Sequence, residues 1–360
     1  MRVMSVVGAR PQFVKLAPID AAFREAGIEH VIVHTGQHYD PMLSDVFFSD
    51  LGISAPDVHL GVGSGSHGVQ TGTMLAAMDE TIETYRPDWV LVYGDTNSTL
   101  AGALSAVKLH VPIAHLEAGL RSFNRAMPEE INRILTDHAA DLLLAPTEVG
   151  AAHLADEGLA DRTVVVGDVM TDILFSVRDS VVDTPSPVMT ELDLPEGGYS
   201  LATIHRAENT DDPERLRSIL ESLAAVDHPV VLLAHPRLVA KCAEHGIALG
   251  DSGNLRMHPP LAYPELIAST LHARGVVTDS GGLQKEAFLL RAPCTTVRPQ
   301  TEWVETVNLG WNVLVEPGQA LMRAASRPRP TEPAEAEAHP YGDGNAAHRV
   351  VQALTDHLPG

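Results

Sequence analysis

Short, β-branched apolar runs alternate with stretches of helical periodicity along almost the whole chain, and they do so in two successive series. The first series is Val3–Val7, His30–Thr35, Val90–Tyr93, Ile113–Leu116, Leu142–Ala145 and Thr163–Val166. The second is Ser200–Ile204, Val230–Ala234, Leu255–His258, Gly275–Thr278, Cys294–Val297 and Asn312–Val315. Helices are expected between them, over Pro11–Ala26, Val69–Tyr85, Asn97–Lys108, Glu129–Ala140, Pro213–Ala225 and Gly282–Leu290. Runs this short, with turn residues at their ends, read as buried parallel strands. Strand and helix in alternation build parallel sheets covered by helices, so each series predicts a doubly wound α/β domain. The boundary is expected near Gly167–Ser176. Residues 326–344 begin proline-rich and acidic and read as a mobile connector with no core of its own. A last helix follows over Asn345–Leu358, where Val350, Val351 and Leu354 at helical spacing indicate docking.

A chain of 360 residues that is 44% hydrophobic has enough apolar material for two such cores. Its net charge of -22 argues against a nucleic-acid backbone or an anionic membrane as partner. Any anionic substrate would need a locally basic pocket, which gives weight to individual cations inside motifs. Aromatic residues make up only 4%, too few for platforms that stack bases. Cys242 and Cys294 lack metal-ligand spacing and read as reduced thiols of a cytoplasmic protein. The start runs straight into a strand and a glycine turn, so no signal peptide is expected, and no apolar run reaches membrane-spanning length.

Charged residues gather where the expected strands end. In open α/β sheets ligands bind just past the carboxyl ends of the strands. Asp95 and Glu117 sit at two such ends, with Glu129 in the segment that follows. Crowded carboxylates raise one another's pKa, which lets one act as acid while another acts as base. The structural alternatives are helix capping by Asp95 and a salt bridge from Glu129 or Glu130 to Arg133, and for Glu130 the salt bridge is the preferred reading. Cations appear at other strand ends. Arg10 and Lys15 follow the glycine turn at Gly8, although a plain βα turn with surface cations explains that segment equally well. His205-Arg206 and His235-Pro236-Arg237 close consecutive strands of the second series. Ser280-Gly281-Gly282 opens a helix where backbone can approach a diphosphate closely, and Glu286, one turn in, could bind ribose hydroxyls.

Taken in order, these segments resemble the non-hydrolysing UDP-N-acetylglucosamine 2-epimerases. The matching motifs are Gly8-Ala9-Arg10-Pro11, Thr35-Gly36-Gln37-His38, Gly94-Asp95-Thr96, His115-Leu116-Glu117-Ala118-Gly119-Leu120-Arg121, Pro128-Glu129-Glu130-Ile131-Asn132-Arg133, His205-Arg206-Ala207-Glu208-Asn209, Thr278-Asp279-Ser280-Gly281-Gly282-Leu283-Gln284 and Pro340-Tyr341-Gly342-Asp343-Gly344. The resemblance implies two Rossmann-like domains of the glycosyltransferase-B type with the ligand cleft between them. Residues 1–168 plus 345–360 would form the first, the last helix returning to it, and residues 169–325 the second, UDP-binding one. It implies catalytic positions at Asp95, Glu117, Glu129 and His205. Arg10, Lys15, Ser280, Gly281, Gly282 and Glu286 fall on the family's nucleotide-binding positions, and Arg121, Arg206, His235 and Arg298 are further expected substrate-binding residues. The implied partner is a UDP-sugar, the implied assembly a homodimer, and no metal, nicotinamide or flavin is called for.

The chain departs from the family pattern in two places. Thr301-Glu302-Trp303-Val304-Glu305 stands where many members have Thr-Glu-Arg-Pro-Glu, so Trp303 removes a nucleotide contact for which Arg298 would compensate. That form resembles the branch acting on 2,3-diacetamido-glucuronic acid nucleotides and leaves both sugars open. The loop Gln37–Val46 lacks the glutamines of members with an activating second nucleotide site, so that regulation is not expected. Two other classes share the architecture, a retaining transferase and a catalytically silent sugar-nucleotide sensor.

Overall fold

Among the described residues every strand lies parallel to its neighbours, in two separate sheets. The computed structural model describes residues 1–37, 53–334 and 338–358, apart from the side chain of Arg10. Residue contacts divide the chain into two units, Met1–Ile173 with Pro340–Gly360, and Leu174–His339.

In the first unit β1 (Arg2–Val7), β2 (Glu29–His34), β3 (Val58–His59), β4 (Trp89–Tyr93), β5 (Ile113–Leu116), β6 (Leu142–Ala145) and β7 (Thr163–Val165) form a sheet of order β3-β2-β1-β4-β5-β6-β7. The order reverses between β1 and β4, whose registry pairs Val3 with Trp89 and Val6 with Val92. That crevice is the topological switch point where such sheets bind ligands. All of β4 is buried, and its alternating side chains serve two cores. Trp89, Leu91 and Tyr93 pack on one face with Val3, Val7, Phe13, Phe23, Val350 and Leu354. Val90 and Val92 pack on the other with Met4, Val6, Met78, Ile82 and Ala106. The last helix, Ala346–Asp356, therefore lies in the first unit, where Trp89 Nε1 donates to Leu354 O at 3.1 Å.

The second unit repeats the plan. Its strands β8 (Ser200–Thr203), β9 (Val230–Leu233), β10 (Leu255–His258), β11 (Gly275–Thr278), β12 (Cys294–Thr296) and β13 (Asn312–Leu314) are ordered β10-β9-β8-β11-β12-β13. Here the reversal falls between β8 and β11, with Ser200 opposite Gly275 and Thr203 opposite Thr278. Leu201 and Val231 face a core with Tyr199, while Ala202 and Leu232 face another with Leu216, Ile219 and Leu223.

The segment read as a coreless connector is tied down at its start. Arg327 donates to Thr295 Oγ1 at 2.9 Å, Cys294 O at 2.8 Å and Trp311 O at 2.9 Å, so it closes the ends of β12 and of the turn before β13. Proline-rich composition hid an arginine that works as a staple. Residues 335–337 and 38–52 lie outside the described residues, and with them most of the loop read as lacking an activating site.

Candidate active site

Asp95, Glu117 and Lys15 come together at the carboxyl end of the first sheet. Asp95 follows β4 directly, but it does not cap the next helix. Thr96 does so, its side chain accepting from Thr99 N, which leaves the Asp95 carboxylate to other partners. Arg133 Nη1 is 3.1 Å from Asp95 Oδ2. Glu117 follows β5 in the left-handed region at φ 74°, a conformation that strains a non-glycine residue and that native folds retain mainly at functional sites. Its carboxylate is ion-paired with Lys15, which reaches over from helix Arg10–Glu25. Gly94, itself at φ 62°, makes room for the pair: a Cβ there would stand 3.1 Å from Glu117 Oε2 and 3.6 Å from Lys15 Nζ.

The electrostatics follow from this crowding. Burial, then the negative charge of Glu117, pushes the Asp95 carboxyl above its usual range, with Arg133 and Lys15 opposing and Glu129 adding to the rise. Burial works against the Lys15 ammonium, yet Glu117 outweighs it and holds the charged form. Glu129 opens helix Pro128–Ala139 and lines a cleft of about 360 Å³ together with Asp95, Asn97, Asn132, His67 and Gln70. Glu130 follows the structural reading. It takes hydrogen bonds from Ser122 N and Phe123 N at 2.9 and 2.8 Å and pairs with Arg133 at 2.9 Å.

Arg121, expected on the substrate, is engaged by partners within the protein. Its side chain is 1% exposed and locked between Glu157, which it meets at 2.7 and 2.8 Å, and Asp137 at 2.7 Å. Asp137 also accepts from Gly119 N at 3.2 Å and lies 2.6 Å from His115 Nδ1, while His115 Nε2 donates to Gly94 O at 2.7 Å. Burial opposes the charge on Asp137, but His115 and Arg121 hold its carboxyl below the usual range. The network sits behind the site and fixes the turns that carry Asp95 and Glu117. Arg10 opens the first helix, and its side chain is outside the described part of the molecule.

In the second unit the strand ends are basic. His205 follows β8 and stacks on His235, ring centroids 4.7 Å apart. Burial lowers the His205 pKa, the charges of His235, Arg206 and Arg237 add to that, and Asp279 opposes it. Asp279, fully buried after β11, organises this end: it accepts from His205 N at 3.0 Å, Arg206 N at 2.9 Å and Asn209 Nδ2 at 3.0 Å. Ser280 occupies the N-cap position of helix Gly281–Leu289 without a side-chain capping hydrogen bond, and a Cβ on the first helical residue would lie near Arg206 and Trp303. Gly282 is exposed and open. Glu286 accepts from the Tyr263 hydroxyl at 3.0 Å, and burial raises its pKa. Arg298 is spent on a bidentate pair with Glu302, 3.0 Å at each nitrogen, and does not stand free as a replacement for the arginine that Trp303 displaces.

His67, Gln70, Asn132, Asp137 and Asp279 were given no role from sequence, and Arg133 was expected only as a salt-bridge partner of Glu129 or Glu130. Asn132 and Arg133 had a signal, since they follow Glu129 by three and four residues and share its helical face. Among the described residues no group of three or more His, Cys, Asp or Glu side chains is arranged to hold a metal, and no helix is long and apolar enough to cross a membrane.

The model of the UDP-N-acetylglucosamine 2-epimerase family matches residues 21–355. The chain is 43% identical over 357 residues to a UDP-N-acetylglucosamine 2-epimerase homolog of Methanococcus maripaludis, covering 98% of this chain and 99% of that protein. It is 46% identical over 363 residues to the UDP-2,3-diacetamido-2,3-dideoxy-D-glucuronate 2-epimerase of Pseudomonas aeruginosa, with 98% and 99% covered. The crystal structure of Methanocaldococcus jannaschii UDP-GlcNAc 2-epimerase in complex with UDP-GlcNAc and UDP superposes with a TM-score of 0.78 at 37% identity, covering 99% of this chain and all of that one. The two parallel sheets, the carboxylates at the ends of β4 and β5 and these full-length likenesses lead to one conclusion: the chain belongs to the UDP-N-acetylglucosamine 2-epimerase family of isomerases.

Proposed function

We propose that the protein interconverts UDP-N-acetylglucosamine and UDP-N-acetylmannosamine by anti elimination of UDP to a 2-acetamidoglucal and re-addition. The observation that carries this reading is the Asp95–Glu117–Lys15–Arg133 cluster at the end of the first sheet, with Glu129 beside it. The C2 proton of such a sugar is weakly acidic. The C1–O bond must therefore run ahead in breaking, its electron pair leaving with UDP while positive charge grows at C1. Carboxylates stabilise that charge, and one of them takes the C2 proton as the C–H electrons form the C1=C2 bond. In the return step a β-phosphate oxygen attacks C1 and a proton reaches the opposite face of C2.

Asp95 and Glu117 are the bases of choice, ahead of Glu129. Asp95 has its pKa moved toward the working range, which favours both accepting a proton and giving it back. The departing diphosphate is assigned to the basic strand ends of the second unit, with Arg206, His235 and the Ser280-Gly281-Gly282 turn. His205, kept neutral by burial and by the cations around it, gains a proton when an anionic leaving group arrives. Arg10 and Glu286 stay assigned to the nucleotide, whereas Lys15 serves Glu117. A cytoplasmic homodimer goes with this reading.

The 46% identity to the diacetamido-glucuronate enzyme favours a second reading, the same chemistry on that sugar nucleotide. Incubating the purified protein with each nucleotide separately decides between them. The first reading expects one equilibrium mixture from either UDP-N-acetylglucosamine or UDP-N-acetylmannosamine. Turnover of the diacetamido-glucuronate nucleotide alone would move the assignment to the second, and turnover of neither would overturn both.

A further inference from the structure

Arg133 touches no site identified above except through its two anionic neighbours, and those neighbours are unequal. Nη1 meets Asp95 Oδ2 at 3.1 Å, and Nη2 meets Glu130 Oε2 at 2.9 Å. Glu130 is 1% exposed and already accepts from Ser122 N, Ser122 Oγ and Phe123 N at 2.8 to 2.9 Å, so it is a fixed post. Among the described residues, Asp95 has no such backbone support for its side chain. Its main chain is held by the same helix, because Asn132 Nδ2 donates to Asp95 O at 2.9 Å. Arg133 Nε is buried without a hydrogen-bond partner among the described residues, a cost accepted for placing both Nη groups.

We propose that Arg133 is the positioning residue of this active site: it anchors on Glu130, turns the Asp95 carboxylate by holding Oδ2, and offsets the negative charge of Glu117 and Glu129. The other oxygen, Oδ1, is then the one presented to the C2 proton. The groups facing Asp95 come from three elements: Lys15 from helix Arg10–Glu25, Glu117 from the end of β5, and Glu129 with Arg133 from helix Pro128–Ala139. Lys15 is committed to Glu117, and among the described residues Arg133 is the cation paired with Asp95. The planar guanidinium fixes its two Nη donors at a set spacing and angle, one on each carboxylate, whereas a lysine ammonium would hold them without that fixed geometry. The catalytic consequence rests on the function proposed above, whereas the electrostatic one does not.

The test is a carbon NMR titration of aspartate-labelled protein, the Asp95 signal assigned by its loss in Asp95→Asn, compared between wild type and Arg133→Met. It needs no turnover, so it decides the positioning claim even if neither sugar nucleotide is a substrate. Arg133→Met is expected to raise the Asp95 pKa by about one unit or more. With an active sugar nucleotide, the acid limb of kcat/KM should move to higher pH by the same shift. kcat should fall on the order of 100-fold with KM little changed, and guanidinium ion should restore kcat in Arg133→Ala. Arg133→Lys keeps the charge and the fold but loses the fork, and kcat should still fall about tenfold. An Asp95 signal that titrates identically in wild type and Arg133→Met would overturn the proposal. So would an Arg133→Lys enzyme with unchanged kcat.

Discussion

Asp95, proposed above as a catalytic base, carries a charge that the fold disfavours. Its folded pKa lies above the unfolded value, so it favours folding fully only below the unfolded pKa and loses that contribution as pH rises through the folded one. At neutral pH its charge is a net burden on the fold. Asp95→Asn is therefore expected to melt at the same or a higher temperature than wild type at pH 7, the difference vanishing toward pH 3, while kcat falls about 100- to 10,000-fold. A clear loss of thermal stability at pH 7, read by calorimetry, would mean that Asp95 is structural. Asp95, Glu117 and Glu129 were legible from sequence because acidic side chains at the ends of apolar strands have little to do in packing. The partners of Arg121 were hidden for a related reason. Arg121 stands in the same motif as Glu117, but the groups that claim it, Asp137 and Glu157, are far along the chain and become neighbours only in the fold.

At the scale of elements, strands and helices mostly start within a residue or two of where periodicity placed them, as with helix Arg10–Glu25 against Pro11–Ala26. The two-residue β3 escaped notice because no period can be read in so short a run. Two things were not legible: the turns after β4 and β5, and what holds them. Gly94 and Glu117 at positive φ, and Gly119 at φ 82°, are braced from behind by the His115–Asp137–Arg121 network. A Cβ at Gly119 would fall 2.2 Å from Gly150 O, which shows how closely these turns pack. Breaking one partner of a buried charge network leaves the other uncompensated, so Arg121→Met should cost about 3–5 kcal/mol in urea unfolding. Its KM for the nucleotide sugar, measured where the variant is folded, should change by less than about threefold, because the Arg121 guanidinium is engaged by Asp137 and Glu157. Unchanged stability with a raised KM would return Arg121 to the binding site.

For the whole molecule, the strand alternation announced two doubly wound sheets, and both form with the order reversal that creates a binding crevice. Fold alone left a transferase or a silent sensor open, because the same architecture serves all three. Full-length membership of an isomerase family, together with carboxylates at the switch point of the first sheet, favours proton chemistry over glycosyl transfer. A protein of net charge -22 carries an acidic cluster at the strand ends of its first sheet and basic side chains at those of its second. The most direct test is proton NMR of the purified protein with UDP-N-acetylglucosamine in heavy water. The account predicts a manno epimer carrying deuterium at C2. A manno epimer that keeps its original C2 proton throughout, under conditions where the solvent reaches the site, would contradict it.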